Sequence, residues 1–268
     1  MKNKLIRWCS VFALCISGIA AGLYITQKHV PKEIQAEEIP QTNSSAPITD
    51  EKGLNSTYEM GVYTEAQNKD SSIKIQYPIF TGNKAEEINT LILAMVQDIA
   101  WLDPSYFPEN PKMTAEYQSA VTLQNSELIS IVFWGTCDIE VSQFPTTNLY
   151  SITIDLQSLK LVSLKDLYTI DGEFEKIFFE KAFFPDNPVT SYNKEEFPEM
   201  LKLQTTEYKS ISPFTSSDSM SFYLKPEGIV LSMPSVHASG SDHFEAELLY
   251  NDIQEYFTGR YGYPGGGR

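Results

Sequence analysis

The chain has 268 residues, 42% hydrophobic and 21% charged, with 20 Lys and Arg set against 35 Asp and Glu for a net charge of −15. That is globular composition with chain enough to bury a core, which excludes collagen-like and wholly disordered classes. The acidic balance also argues against a nucleic-acid partner, because a negative surface repels phosphate.

The first 30 residues carry Lys2, Lys4, Arg7 and Lys28 and no acidic side chain. Residues 8–25, WCSVFALCISGIAAGLYI, form an uncharged run of 18, near the shortest helix that spans a bilayer. Basic residues in front of such a run favour an inside N-terminus and export of the chain beyond it. Residues 1–30 are therefore either an uncleaved signal-anchor or a signal peptide cut among the small residues of GIAAG. Cys15 follows Leu14, not the small residue that a lipoprotein signal requires. Beyond residue 30 the basic side chains number 20 − 4 = 16 against all 35 acidic ones, a net charge of −19. Such a field attracts cationic partners, and it equally serves solubility outside a cell. Cys9 and Cys15 lie in the apolar run, so Cys137 stands alone in the exported part and has no internal disulfide partner. We expect a buried or half-buried thiol there, not a nucleophile.

Residues 31–70 are poor in large apolar side chains and rich in Glu, Gln, Asn, Ser and Pro, the composition of a flexible stalk. Asn43-Ser44-Ser45 and Asn55-Ser56-Thr57 match the glycosylation triplet, a pattern short enough to arise by chance. The folded part is expected from Ser72, where Ile73, Ile75 and Tyr77 alternate with polar residues in a strand ending at Pro78. Asn83 and Glu86 mark a helix start, and Ile88, Leu91, Ile92, Met95, Val96 and Ile99 recur at helical spacing before Asp103-Pro104. Residues 116–123 and 128–134 predict two strands, and residues 150–163 a hairpin turning at Gln157-Ser158. Ser163, three residues before Asp166, caps a short helix. A helix follows over residues 173–184, and a weaker one over 194–206. Residues 221–224 and 229–233 are strands around Lys225-Pro226-Glu227-Gly228, in which Pro sets φ and Gly permits a positive one. Residues 244–249 form a last strand, residues 252–257 a closing helical turn, and residues 259–268 a disordered tail. Hairpins with separate helices and no regular alternation give an α+β class with antiparallel sheets and packed helices, preceded by the N-terminal membrane segment.

Catalytic patterns are missing from the chain. Acidic pairs such as Glu86-Glu87 and Glu195-Glu196 fit solvated helix faces. The three histidines are His29, His237 and His243, and the last two could meet Asp242 across a loop, a weak metal pattern. Ser239-Gly240-Ser241 lacks a nucleophile-elbow context. No phosphate loop, basic patch or cofactor motif is present. We therefore assign no catalytic residue, no metal and no cofactor. Strand ends and loops collect recognition residues, which points to Phe133-Trp134 and to Tyr106-Phe107 in the loop DPSYFPENP. Candidate binding residues are Tyr106, Phe107, Trp134, His237, Asp242, His243 and Phe244.

The order of these elements carries a resemblance. A strand ending in Tyr77-Pro78 precedes a helix with Ile88-Asn89; LISIVF, YSITIDL followed by LVSLKDLY, and the FYLKPEGIVLSM hairpin then come in turn. The series resembles the paired exported domains of the lysozyme-sensing anti-sigma-V factor and of the region ahead of the catalytic domain in the peptidoglycan deacetylase PdaC. It covers residues 72–257, and Thr153 to Leu167 resembles the signature T-x-D-L-x-T-G-K-x-L-x-L-x-D-L of that group. Leu159 stands where relatives carry Gly, and residues 234–250 lack the usual Tyr- and Pro-containing pattern. Seven residues precede residue 8 and no deacetylase domain follows, so the resemblance implies the ectodomain without either output. It implies an N-terminal PdaC-like lobe over residues 71–150 and a C-terminal anti-sigma-V-like lobe over 151–258. The resulting expectation is a non-catalytic extracytoplasmic protein of a bacterial envelope, held at the membrane or secreted if the signal is cut. Its ligand would be a cationic lysozyme-like protein or a cell-wall fragment. An enzyme acting on wall glycan or peptide is the alternative.

Overall fold

The computed structural model describes residues 57–65, 71–101, 111–185, 214, 220–234 and 242–262. These build a six-stranded and a three-stranded sheet with few helices, an α+β arrangement as expected. The large sheet is β1 (Thr57–Glu65), β2 (Ser72–Thr81), β3 (Met113–Gln124), β4 (Leu128–Ile139), β5 (Thr146–Asp155) and β6 (Lys160–Leu161), ordered as in sequence. All its pairs are antiparallel except β2 with β3, which run parallel. Parallel neighbours need a crossover, and helix α1 (Ala85–Ala100) supplies it. The small antiparallel sheet is β7 (Phe222–Leu224), β8 (Gly228–Pro234) and β9 (His243–Leu249). Short helices α2 (Leu164–Leu167), α3 (Gly172–Lys181) and α4 (Tyr250–Ile253) accompany it, the last running into a 3-10 turn at Gln254–Tyr256.

Two apolar layers result. Helix α1 buries Ile88, Ile92, Val96 and Ile99 against Ile73, Ile75, Ile129, Ile131, Phe133, Ile152 and Ile154 of the large sheet. The second layer joins Phe222, Leu224, Ile229, Leu231, Met233, Phe244, Ala246 and Leu248 to α2, α3 and α4 through Leu164, Leu167, Phe174, Phe178, Tyr250 and Ile253. Between the sheets, Tyr223 and Val230 pack on Val132 and Leu149.

Several expectations are corrected. Residues 57–65, expected within a flexible stalk, form β1, paired with β2 along its whole length. Strand β2 does not stop at Pro78 but continues to Thr81. Its pairing with β3 ends at Ile75, so Pro78 has a strand neighbour on one side only, where a missing N–H is tolerated. The Asn89 side chain takes over that open side, accepting from the Phe80 N–H (2.8 Å) and donating to its carbonyl (2.9 Å). Helix α1 starts without the expected side-chain cap: Lys84 is the N-cap, with φ 59, and its ammonium donates to the Leu156 carbonyl at 2.6 Å. Strand β4 runs five residues past Trp134 because β3 and β5 both continue beside it. Gly228 does not use a positive φ; its missing Cβ makes room for the Leu248 carbonyl. Residues 259–262 of the expected disordered tail are fastened: Arg260 pairs with Asp166, and the Gly262 N–H donates to Glu127.

The hairpin β5–β6 is shorter on its second arm than expected, and its turn is built by Asp155. The Asp155 carboxylate accepts from the Gln157 N–H (2.7 Å), the Ser158 N–H (3.1 Å) and the Ser158 hydroxyl (2.7 Å). Leu159 then takes φ 54, the left-handed conformation that a glycine reaches without steric cost. The expected cap of α2 is present, with the Ser163 N–H and hydroxyl both donating to Asp166 Oδ2 at 2.9 and 2.8 Å. Strand β5 carries both Tyr150 and Ser151. Among the described residues no helix is long and apolar enough to cross a membrane; residues 8–25 and 194–206 lie outside them.

Candidate functional site

Strand β9 alternates HFEAELL, with Phe244, Ala246 and Leu248 turned to the helical core. A strand of this pattern ordinarily shows its other face to water. Here His243, Glu245 and Glu247 are buried as well, because that face packs against the large sheet. Burying carboxylates is costly unless each finds a partner, and β7 with the residue that follows it provides two. The Tyr223 hydroxyl donates to Glu245 Oε1 at 2.5 Å. The Lys225 ammonium donates to both oxygens of Glu247, at 3.0 and 2.8 Å, and lies 3.0 Å from Glu227.

The electrostatics follow from this geometry. Burial, and then the neighbouring Glu245 carboxylate, push the Tyr223 phenol far above its ordinary range. Burial alone would lower the Lys225 ammonium, but Glu247 and Glu227 outweigh it and hold the group charged. Ser130 Oγ accepts from the Leu224 N–H at 3.0 Å and shares a hydrogen bond of 3.1 Å with Thr153. One hydroxyl thus ties β4 and β5 to β7.

At the far end of the layer a second clip closes on Thr147. Its N–H donates to Asp242 Oδ2 (2.7 Å), and its hydroxyl accepts from the Asp242 N–H (3.2 Å). The Thr147 carbonyl lies 3.2 Å from His243 Nδ1; a carbonyl only accepts, so this nitrogen carries the proton. Burial lowers the His243 pKa, against the opposing pull of Thr147 and Asp242. Beyond the clip the β4–β5 connection leaves Val141 69% and Phe144 54% exposed. Asp138 and Glu140 lie exposed beside them. The Ser142 N–H donates to the Ile139 carbonyl (2.7 Å) and its hydroxyl to the Phe144 carbonyl (2.9 Å), which fixes the turn.

Of the candidate residues, the structure brings Asp242, His243 and Trp134 to one place. Trp134 is cross-strand partner to Leu149, two residues from Thr147, and is half-buried against the Val132 and Val230 cluster. Phe244 points the other way: it is wholly buried, edge-on to Phe184 at 6.3 Å. Tyr106, Phe107 and His237 lie outside the described residues. Among the described residues no group of three or more His, Cys, Asp or Glu is placed to hold a metal ion. Tyr223, Lys225, Glu245, Glu247, Val141 and Phe144 went unmarked in the sequence. The one available signal was E-x-E opposite a run of core residues on β9, with Tyr223 on β7 and Lys225 just past its end, two residues apart.

No protein-family model matches the chain, and no curated protein matches it. Among solved structures it is similar to a member of the DUF3298 family from Bacteroides fragilis, at 14% identity over 76% of this chain and 94% of that one, with a TM-score of 0.48. It is also similar to a DUF3298 family protein from Pseudomonas aeruginosa, at 10% identity over 80% of this chain and 97% of that one, with a TM-score of 0.46.

Proposed function

We propose that this protein is a non-catalytic, exported ligand-binding domain anchored by residues 8–25, and that its ligand is a cationic protein of the lysozyme kind. The observation that carries this reading is the β4–β5 tip. Val141 and Phe144 stand exposed beside the carboxylates of Asp138 and Glu140, on a hairpin whose base is clamped through Thr147 by Asp242. An apolar pair ringed by acids suits a partner with basic residues around an apolar patch, and a clamped loop loses little freedom on binding. The charge of −19 beyond residue 30 adds steering toward a cationic protein.

Calorimetric titration of the purified 268-residue chain, with a cationic lysozyme and separately with muropeptides, tests the reading. Saturable lysozyme binding should weaken at least tenfold in Phe144→Ser and fall as salt is raised. Binding indifferent to both, or turnover of muropeptides, would overturn it.

A further inference from the structure

The edges of both sheets are managed, with one exception. Strand β6 is two residues long and begins with Lys160, and β7 is three residues long. The outer edge of β9 is met by Phe183, whose N–H donates to the Glu247 carbonyl (3.1 Å) and whose carbonyl accepts from the Glu247 N–H (2.8 Å). Short length, lysine and cover are the usual ways in which a sheet edge is protected from pairing with another chain. Among the described residues strand β1 has none of them. It is nine residues, TYEMGVYTE, without Pro, Lys or Arg. Its pairing with β2 is regular from Thr57 to Glu65, and among the described residues no strand pairs with its other edge. Tyr58, Met60 and Val62, exposed 41%, 44% and 52%, line up on one face. The opposite face carries Glu59 and Glu65.

We propose that β1 is a docking edge for an extended, cationic segment of a partner protein, which adds to the large sheet as a seventh strand. Strand addition takes affinity from main-chain hydrogen bonds and specificity from alternate side chains. Glu59 and Glu65 are six residues apart, on one face because side chains alternate with period two. The segment that fits therefore carries basic residues six apart on that face and apolar ones between, which cover Tyr58, Met60 and Val62 on the other. A second copy of this chain fits badly. Antiparallel self-pairing centred on Val62 sets Glu59 directly opposite Glu65 of the other copy. Centred on Gly61, the two glutamates become diagonal neighbours; centred on Met60, Glu59 is diagonal to its own counterpart. Like charges at these positions oppose pairing. The inference is independent of the ligand proposed above, since β1 and the β4–β5 tip are different surfaces.

The probe is the labelled peptide VKVTVTVKV, titrated into the 268-residue chain by fluorescence anisotropy. Its counterpart VEVTVTVEV and two versions N-methylated on one or the other set of alternate amides serve as controls. Saturable binding of the lysine peptide is expected, abolished by one N-methylation set and spared by the other. Glu59→Lys with Glu65→Lys, both at exposed positions, should weaken it at least tenfold and reverse the preference to the glutamate peptide. Met60→Lys, a second variant, should weaken both peptides while circular dichroism stays unchanged. Equal binding of the two N-methylated peptides, or indifference to charge reversal, would overturn the proposal. So would a concentration-dependent dimer in sedimentation that Met60→Lys dissolves, because β1 would then be occupied by a second copy. Lysozyme binding that survives charge reversal leaves the β4–β5 tip reading untouched, whichever way the peptide behaves.

Discussion

Replacing Tyr223 by Phe removes a single oxygen from the layer between the sheets and keeps the ring that packs on Val132, Leu149 and Val230. The oxygen matters because Glu245 is 0% exposed and receives the Tyr223 hydroxyl at 2.5 Å. A hydrogen bond to a charged group contributes about 1.5–3 kcal/mol, and full burial places this one in the upper half, at about 2–3 kcal/mol. In a domain of this size each kcal/mol moves Tm by about 2–4 °C, so a fall of about 4–12 °C is expected. The pH dependence gives the reasoning a second check. In the unfolded chain the phenol ionises near pH ~10, whereas in the folded chain burial and then Glu245 raise its pKa well above that. A raised folded-state pKa means stability that is complete below the unfolded value and is lost as pH climbs above it, because the unfolded chain releases a proton that the folded chain retains. The Phe variant has no such proton. The gap between the two proteins should therefore be constant from pH 7 to 9 and shrink above pH ~10, by at most about 1.4 kcal/mol per pH unit. Urea unfolding followed by tryptophan fluorescence at pH 7, 9 and 11 measures it, since ionisation of the other tyrosines cancels in the difference. A gap under about 0.5 kcal/mol at pH 7 would refute the argument, being far below what a charged partner supplies. So would a gap that widens above pH 10.

Two further outcomes rest on packing. Gly135 faces Tyr117 across β3 and β4, and a Cβ there would run into the Glu116 carbonyl and lie 2.7 Å from Tyr117 Cα; Gly135→Ala should cost about 3 kcal/mol, the top of the range for overpacking, and a melting temperature within 2 °C of wild type would contradict it. The Cys137 thiol is pushed up to about 11 by burial first and Asp138 second. At pH 8 that leaves about one thiolate in a thousand against about one in four for a free thiol, so iodoacetamide labelling, assigned by peptide mass to separate it from Cys9 and Cys15, should be at least a hundredfold slower in the folded chain than in urea.

What the sequence could announce depended on the distance over which each feature is decided. The Ser163–Asp166 cap, helix α1 and the hairpin at Pro226 were legible because their causes lie within a few residues. Leu159 shows a local rule overridden: the turn keeps the left-handed position that glycine favours, because the Asp155 carboxylate fixes the two preceding N–H groups and Leu159 itself packs on the core beneath the sheet. Strand β1 went unrecognised for the opposite reason. Tyr58, Met60 and Val62 do alternate, but both faces of the strand are largely exposed, so the segment has the polar composition of a linker and gains its order from β2.

The buried layer is the strongest case of a feature decided at long range. HFEAELL predicts a strand with one wet face, and the pattern is locally correct. The face is dry only because Ser130 meets Leu224 across 94 residues and Thr147 meets Asp242 across 95. Once the sheets meet, Glu245 and Glu247 need a hydroxyl and an ammonium within reach, and Tyr223 on β7 and Lys225, the residue just past its end, supply them. The same contact fixes Thr147, and with it the base of the hairpin that carries Val141 and Phe144. The polar layer and the exposed tip thus share one cause: the contact that buries Glu245 and Glu247 also sets Asp242 and His243 against Thr147, at the base of the acidic, apolar end that faces solvent.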